Sequence, residues 1–220
     1  MKLWKTALFA AAIVASAALF NGCVVPCLSP LFEEKEALFE PALLGKWLPD
    51  DKDAKETFEF SRVTDKNQYR IVNRNKDGRQ ATLSAMLGKL GDRQYLCAVL
   101  DQESLPEHSV WFACPLHVLI FRIEQTTPEL KLTMLNFEAC KKLLAEKPAV
   151  IAHVMLKPTE EKEKDAIPFL TASTAELQKF IKEYADSAKL FPADQVMTFV
   201  RPAAEKPAAP TAKPADSAGK

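Results

Sequence analysis

The sequence predicts a mainly β domain carrying two helices, folded as an antiparallel barrel or a strongly curved sheet. Three observations lead there. Apolar residues recur at every second position through most of the middle of the chain, short polar turns join these stretches, and only two segments change to helical spacing.

A strand with one buried face alternates apolar and polar side chains, because successive residues point to opposite faces. Lys46 to Leu48 is a short first strand. Phe58 and Phe60 then alternate with Thr57, Glu59 and Ser61, and Tyr69 and Ile71 with Gln68, Arg70 and Asn73. Leu83, Ala85 and Leu87 continue the period. Tyr95 to Leu100 and Val110 to Ala113 are apolar on both faces. His117, Leu119, Phe121 and Ile123 share one face of the next strand, whose other face ends in Arg122 and Glu124. Leu130 to Leu135, Val150 to Leu156 and Val196 to Arg201 bring the total to about nine strands, with turns such as Lys76-Asp77-Gly78 and Gly91-Asp92.

Two helices interrupt this meander. Asn136 caps a helix running to about Glu146, with Phe137, Cys140 and Leu144 on one stripe and Pro148 beyond its end. Ser173 and Glu176 form a capping box that opens a second helix, in which Leu177, Phe180, Ile181 and Tyr184 follow at i, i+3, i+4 and i+7. Both helices are expected to pack by one face against the sheet or across a barrel mouth. Leu31 to Leu44 mixes charged and apolar residues without a period, and no element is assigned to it.

The start of the chain is an address. Lys2 and Lys5 precede an apolar run from Ala7 to Phe20, and Asn21-Gly22-Cys23 follows. The run is shorter than the roughly 20 residues of a membrane-spanning helix, and its regions follow the order of a secretory signal. It resembles the signal of bacterial lipoproteins, in which a lipobox ends in an acylated cysteine, here Cys23. Phe20 and Asn21 depart from the usual box, whereas Leu19 and Gly22 fit it. Cleavage after Ala15-Ser16-Ala17 is the alternative, and it would leave Cys23 a plain thiol. Three acyl chains would make the anchor effectively permanent. Val24, in place of an inner-membrane-retaining Asp, implies the periplasmic face of the outer membrane.

The expected organisation is a signal peptide over 1–22, a lipidated tether over 23–30, one β-rich domain over 31–201 and a disordered tail over 202–220. That tail is nearly all Ala, Pro and Lys, so it lacks the apolar mass to fold. The mature chain would hold 27 basic and 29 acidic residues, a net of −2, with the two signs interspersed. No basic stripe marks a nucleic-acid partner. The expected partners are the membrane, through the anchor, and either an apolar small molecule or an envelope protein.

Gly45-x-Trp47 at the head of the first strand, with Arg201 closing the last, is similar to the lipocalin and calycin arrangement. That resemblance implies an arginine packed over the tryptophan to seal one barrel end. Pro30-Leu31-Phe32, Lys35 and Phe39 through Trp47 resemble the opening of a group of uncharacterised bacterial lipoproteins. Leu170-Thr171-Ala172, Glu176-Leu177 and Phe180 resemble its close. The resemblance implies no chemistry.

Catalytic signals are absent from the sequence: no Cys-x-x-Cys pair, phosphate loop or Gly-x-Ser-x-Gly elbow occurs, and His108, His117 and His153 lack neighbours at zinc-ligand spacing. No cofactor and no enzymatic activity are expected. His117, with Leu119 and Phe121, is either an interior residue or the polar anchor of a ligand pocket. Cys27, Cys97, Cys114 and Cys140 allow three full pairings. A hairpin turning near Leu105-Pro106 sets Cys97 opposite Cys114, and a turn shifted by a residue or two sets it opposite Trp111 instead. Two functions follow from the fold class: a barrel that binds an apolar or amphipathic ligand, or a filled barrel that serves outer-membrane assembly through its surface.

Overall fold

The computed structural model describes residues 24–51, 56–101, 119–156 and 166–203. Among these residues, ten strands and two helices follow in order: β1 (Gly45–Pro49), β2 (Thr57–Arg62), β3 (Gln68–Arg74), β4 (Gln80–Leu90), β5 (Arg93–Leu100), β6 (Leu119–Gln125), β7 (Leu130–Met134), α1 (Phe137–Glu146), β8 (His153–Leu156), β9 (Ile167–Leu170), α2 (Thr174–Tyr184) and β10 (Val196–Val200). Eight strands close into an antiparallel barrel in the order β1-β10-β7-β6-β5-β4-β3-β2, and β8 and β9 form a separate pair. The barrel is a meander with one long excursion, which leaves after β7 and returns at β10.

Register follows the period-two pattern. Trp47 lies opposite Phe58, Phe60 opposite Ile71, Ala85 opposite Ala98, and Leu96 opposite Phe121. Each pair points inward, because directly opposed residues share a face. Leu132 and Leu130 face Met197 and Phe199 across the closing seam. These side chains form one interior cluster with Leu43, Tyr69 and Leu87.

The opposite face of β4 to β7 is buried as well. Leu90, Tyr95, Cys97 and Ile120 point away from the barrel interior and pack beneath Phe137, Cys140, Leu143 and Leu144 of α1 and Leu177, Phe180 and Ile181 of α2. This explains why β5 reads as apolar on both faces. The helices therefore cover the outer wall, and both caps form as expected: Asn136 accepts from the Ala139 amide, and Ser173 and Glu176 close a capping box.

The N-terminal segment belongs to this second core. Val25, Cys27, Leu31 and Phe32 are at most 2% exposed. Leu170 donates its amide to Pro26 O at 2.9 Å and accepts from Leu28 at 2.8 Å, so residues 26–28 extend the β8–β9 pair. The chain from Val25 is thus integrated into the fold rather than hanging from it. Phe32 lies against the outer wall at Gly88, where a Cβ would stand 2.4 Å from the ring. Only a residue without a side chain lets the ring lie that close.

Sequence reasoning passed over β9. β9 is only four residues long and contains Pro168, which so short a pair tolerates. The unassigned Leu31 to Leu44 stretch holds two 3-10 turns, Glu34–Glu36 and Pro41–Leu43.

Candidate functional site

The barrel has two unlike ends. At the base, the Pro41–Leu43 turn places Leu43 O to accept the indole N–H of Trp47 at 2.8 Å. Trp47 is 1% exposed. The Arg201 guanidinium lies 3.5 Å from the Trp47 ring centroid, over its face. It donates to the carbonyls of Leu44 at 2.7 Å, Ala42 at 2.8 Å and Lys46 at 3.3 Å. Partial burial lowers its pKa somewhat, yet an arginine stays charged throughout the range in which proteins work. The geometry gives the Gly45-x-Trp47 pattern its reason: Gly45 has φ +98°, and a Cβ there would meet Arg201 Nη1 at 2.9 Å.

Tyr69 completes the base. Its hydroxyl accepts from the Glu40 amide at 2.6 Å and donates to Glu40 O at 3.3 Å, while Phe39 stacks on its ring at 5.6 Å. Arg62 lies over the other aromatic of this pair, 4.2 Å from the Phe39 centroid. Burial raises the Tyr69 pKa, so the hydroxyl stays protonated and keeps its donor role. Aromatic, arginine and backbone partners together leave this end sealed.

At the other end the inner wall stays apolar but is less covered. Among the described residues, Phe58, Leu83, Leu119, Met134 and Met197 are half-buried at this end, against Phe39 and Leu44 at the base, whereas Phe60, Ile71, Leu96, Phe121 and Leu132 deeper inside are buried. Phe58 meets Phe199 edge to face at 5.4 Å just inside this mouth. The barrel thus runs from a polar-latched base to an apolar rim.

The residues singled out from sequence divide accordingly. Trp47 and Arg201 come together at the base. Leu119 and Phe121 share the inner wall, at the rim and one step inside it. His117, Cys114 and Cys23 lie outside the described residues. Cys97 carries a free thiol on the outer face of β5, in the same core as the free thiols of Cys27 and Cys140. Burial pushes Cys97 up to about 11 and Cys140 up to about 12, and it raises Cys27 well above the ordinary thiol value, with the other two cysteines adding to the effect. His153 is half-buried, with Nδ1 2.9 Å from Ile151 O, and sits outside the barrel.

Sequence reasoning missed Tyr69, Phe39 and Leu43 as parts of the base. Tyr69 was legible as an inward residue, but its bond to Glu40 spans 29 positions and has no linear signature. Arg122, which the sequence places on the face of its strand opposite Phe121 and Ile123, is buried. It pairs with Glu124 at 2.6 Å and Asp186 at 3.1 Å, and donates to Phe191 O at 3.1 Å. Among the described residues, no three His, Cys, Asp or Glu side chains converge as a metal site. Compared with family models, curated proteins and solved structures, the chain matches no family model, no curated protein and no solved structure.

Proposed function

We propose that this chain is a lipoprotein, anchored through Cys23 at the periplasmic face of the outer membrane, whose barrel admits an apolar or amphipathic ligand at the end opposite Trp47. The observation that carries the ligand reading is the asymmetry of the barrel. A molecule that buries its apolar part needs a continuous apolar wall with one way in. Here the wall runs from the Trp47–Arg201 latch to the half-buried rim of Phe58, Leu83, Leu119, Met134 and Met197. The signal ending in Gly22-Cys23 supports the anchor.

A second reading has its own support. Phe60, Phe121 and Phe199 project into the middle of the barrel and belong to one packed cluster. A barrel filled this way would act through its outer surface, as an envelope assembly module.

Two measurements separate the readings. Mass spectrometry of organic extracts from the purified protein, and binding of a fluorescent fatty acid, report on the barrel. Leu119→Asp, at the half-buried rim, should leave the fold in place and reduce fatty-acid affinity by at least about tenfold, the cost of desolvating a carboxylate against an apolar ligand. A wild-type protein that carries no apolar compound and binds no fatty acid would sink the ligand reading in favour of the assembly module. Intact mass of the membrane form tests the anchor independently.

A further inference from the structure

The small β8–β9 pair has two faces of different character. His153, Met155, Pro168 and Leu170 share the inner face, where Pro168 and Leu170 are buried. Val154 and Leu156 take the outer face and are 48% and 45% exposed, opposite the half-buried Phe169 and Ile167. The N-terminal segment adds to this face. Cys27 pairs with Leu170 and is fully buried, so alternation turns its neighbour Leu28 outward, where it is 45% exposed. Among the described residues, the exposed large hydrophobics are Leu28, Leu38, Val154 and Leu156, and three of these four lie on this one face. Leu28, Val154 and Leu156 thus form an exposed apolar row of the kind that marks a contact surface.

Chain length limits how far from this face an anchor on Cys23 could stand. Leu28 is five residues from Cys23, and five residues span at most about 17 Å when fully extended. An acyl group on Cys23 would therefore keep Leu28, beside β9 at the edge of this face, within about 17 Å of the lipid headgroups along the covalent chain, with β8 one strand further on. Because the chain is packed into the fold from Val25 onward, a second contact beside such an anchor is intramolecular, at an effective concentration on the order of millimolar or more, which favours occupancy of a patch too weak to bind alone.

We infer that Leu28, Val154, Leu156 and Phe169 form a membrane-contact face that rests in the headgroup region of the bilayer carrying the anchor. The inference rests on the reading of Cys23 as the acylated residue. The acyl chains supply the affinity, and this face fixes how the barrel stands on the surface.

The test uses the full acylated chain on vesicles of phosphatidylethanolamine and phosphatidylglycerol, compared with a Cys23→Ser chain free in buffer. Intact mass establishes the acylation state, and amide hydrogen exchange reports each strand. Exchange of the amides of Val154, Met155, Leu156, Ile167, Phe169 and Leu170 should slow by about fivefold or more on vesicles, while β2 and β3 of the barrel stay unchanged. A Val154→Asp/Leu156→Asp chain, altered only at exposed positions, should melt like wild type, remain on the vesicles and lose that protection. Acylated protein with unchanged exchange at β8 and β9 would overturn the face and leave the anchor standing. Protein without acyl mass would overturn both. Protection that appears in the free Cys23→Ser chain and grows with its concentration would replace the membrane by a second copy of the chain.

Discussion

Trp47 makes three kinds of contact at once: its ring is buried in the barrel core, its N–H is bonded to Leu43 O, and its face carries the Arg201 guanidinium. Losing a buried aromatic costs about 3–5 kcal/mol, a large share of the roughly 5–15 kcal/mol that holds a domain of this size together. Trp47→Ala should therefore shift the urea midpoint strongly or prevent folding. Arg201→Ala removes the stacking and three carbonyl contacts but leaves the core intact, so its cost should be about 1–2 kcal/mol. Because the two side chains touch, their effects should not add. In a double-mutant cycle on a Trp47→Phe background, a coupling of about 0.5 kcal/mol or more is expected, and strict additivity would show that Arg201 is not part of the latch.

At the scale of elements, Arg122 decides how the excursion between β7 and β10 is held to the barrel. It sits on the outer face of β6 and reaches Asp186, just past α2, and the carbonyl of Phe191. Glu124 accepts from both Arg122 and Thr133, linking β6 to β7 within the same network. Removing the arginine leaves Glu124 and the Phe191 carbonyl short of a partner where water is largely excluded. Arg122→Met should cost about 2–3 kcal/mol, most of it the price of unpaired groups rather than the worth of the ion pairs, since Asp186 is well exposed. The loss should be smaller in Arg122→Met/Glu124→Leu, where both partners become apolar. An equal or larger loss in the double variant would show that packing of the arginine stem matters more than its charge.

At the scale of the whole molecule, residues far apart in the chain close a second core outside the barrel. Cys27 comes from the N-terminal segment, Cys97 from β5 and Cys140 from α1, and all three are buried free thiols in that core. Protonated thiols are the form this core favours. Their stabilisation is fully present below 9.0, the ordinary thiol value, and is lost as the pH climbs through about 11 and about 12 for Cys97 and Cys140. The folded protein should accordingly resist N-ethylmaleimide at all three positions until denaturant opens it, and urea unfolding should become easier above about pH 9. Cys97→Ala should flatten that alkaline loss. Rapid labelling of Cys27 alone would show that the N-terminal segment detaches locally from the wall.

Local pattern was enough for the strand alternation of β2, β3, β4, β6 and β10, and for both helix starts. In each case the cause lies within a few residues: a period of two, or a cap at Asn136 or Ser173. The pairing of Trp47 with Arg201 was anticipated from resemblance rather than from pattern, and the structure supplies its reason in the φ of Gly45 and the carbonyls that Arg201 gathers. Tertiary structure alone decided that helices cover the outer wall instead of a mouth, that Val25 to Phe32 are core, and that Pro168 lies in a strand. It also decided that Arg122 is buried and that Leu28 shares a face with Val154. These outcomes depend on contacts between residues tens to more than a hundred positions apart, as between Cys27 and Leu170. Alternation shows that a face is apolar, whereas only the folded chain determines whether a helix, a barrel interior or water meets it.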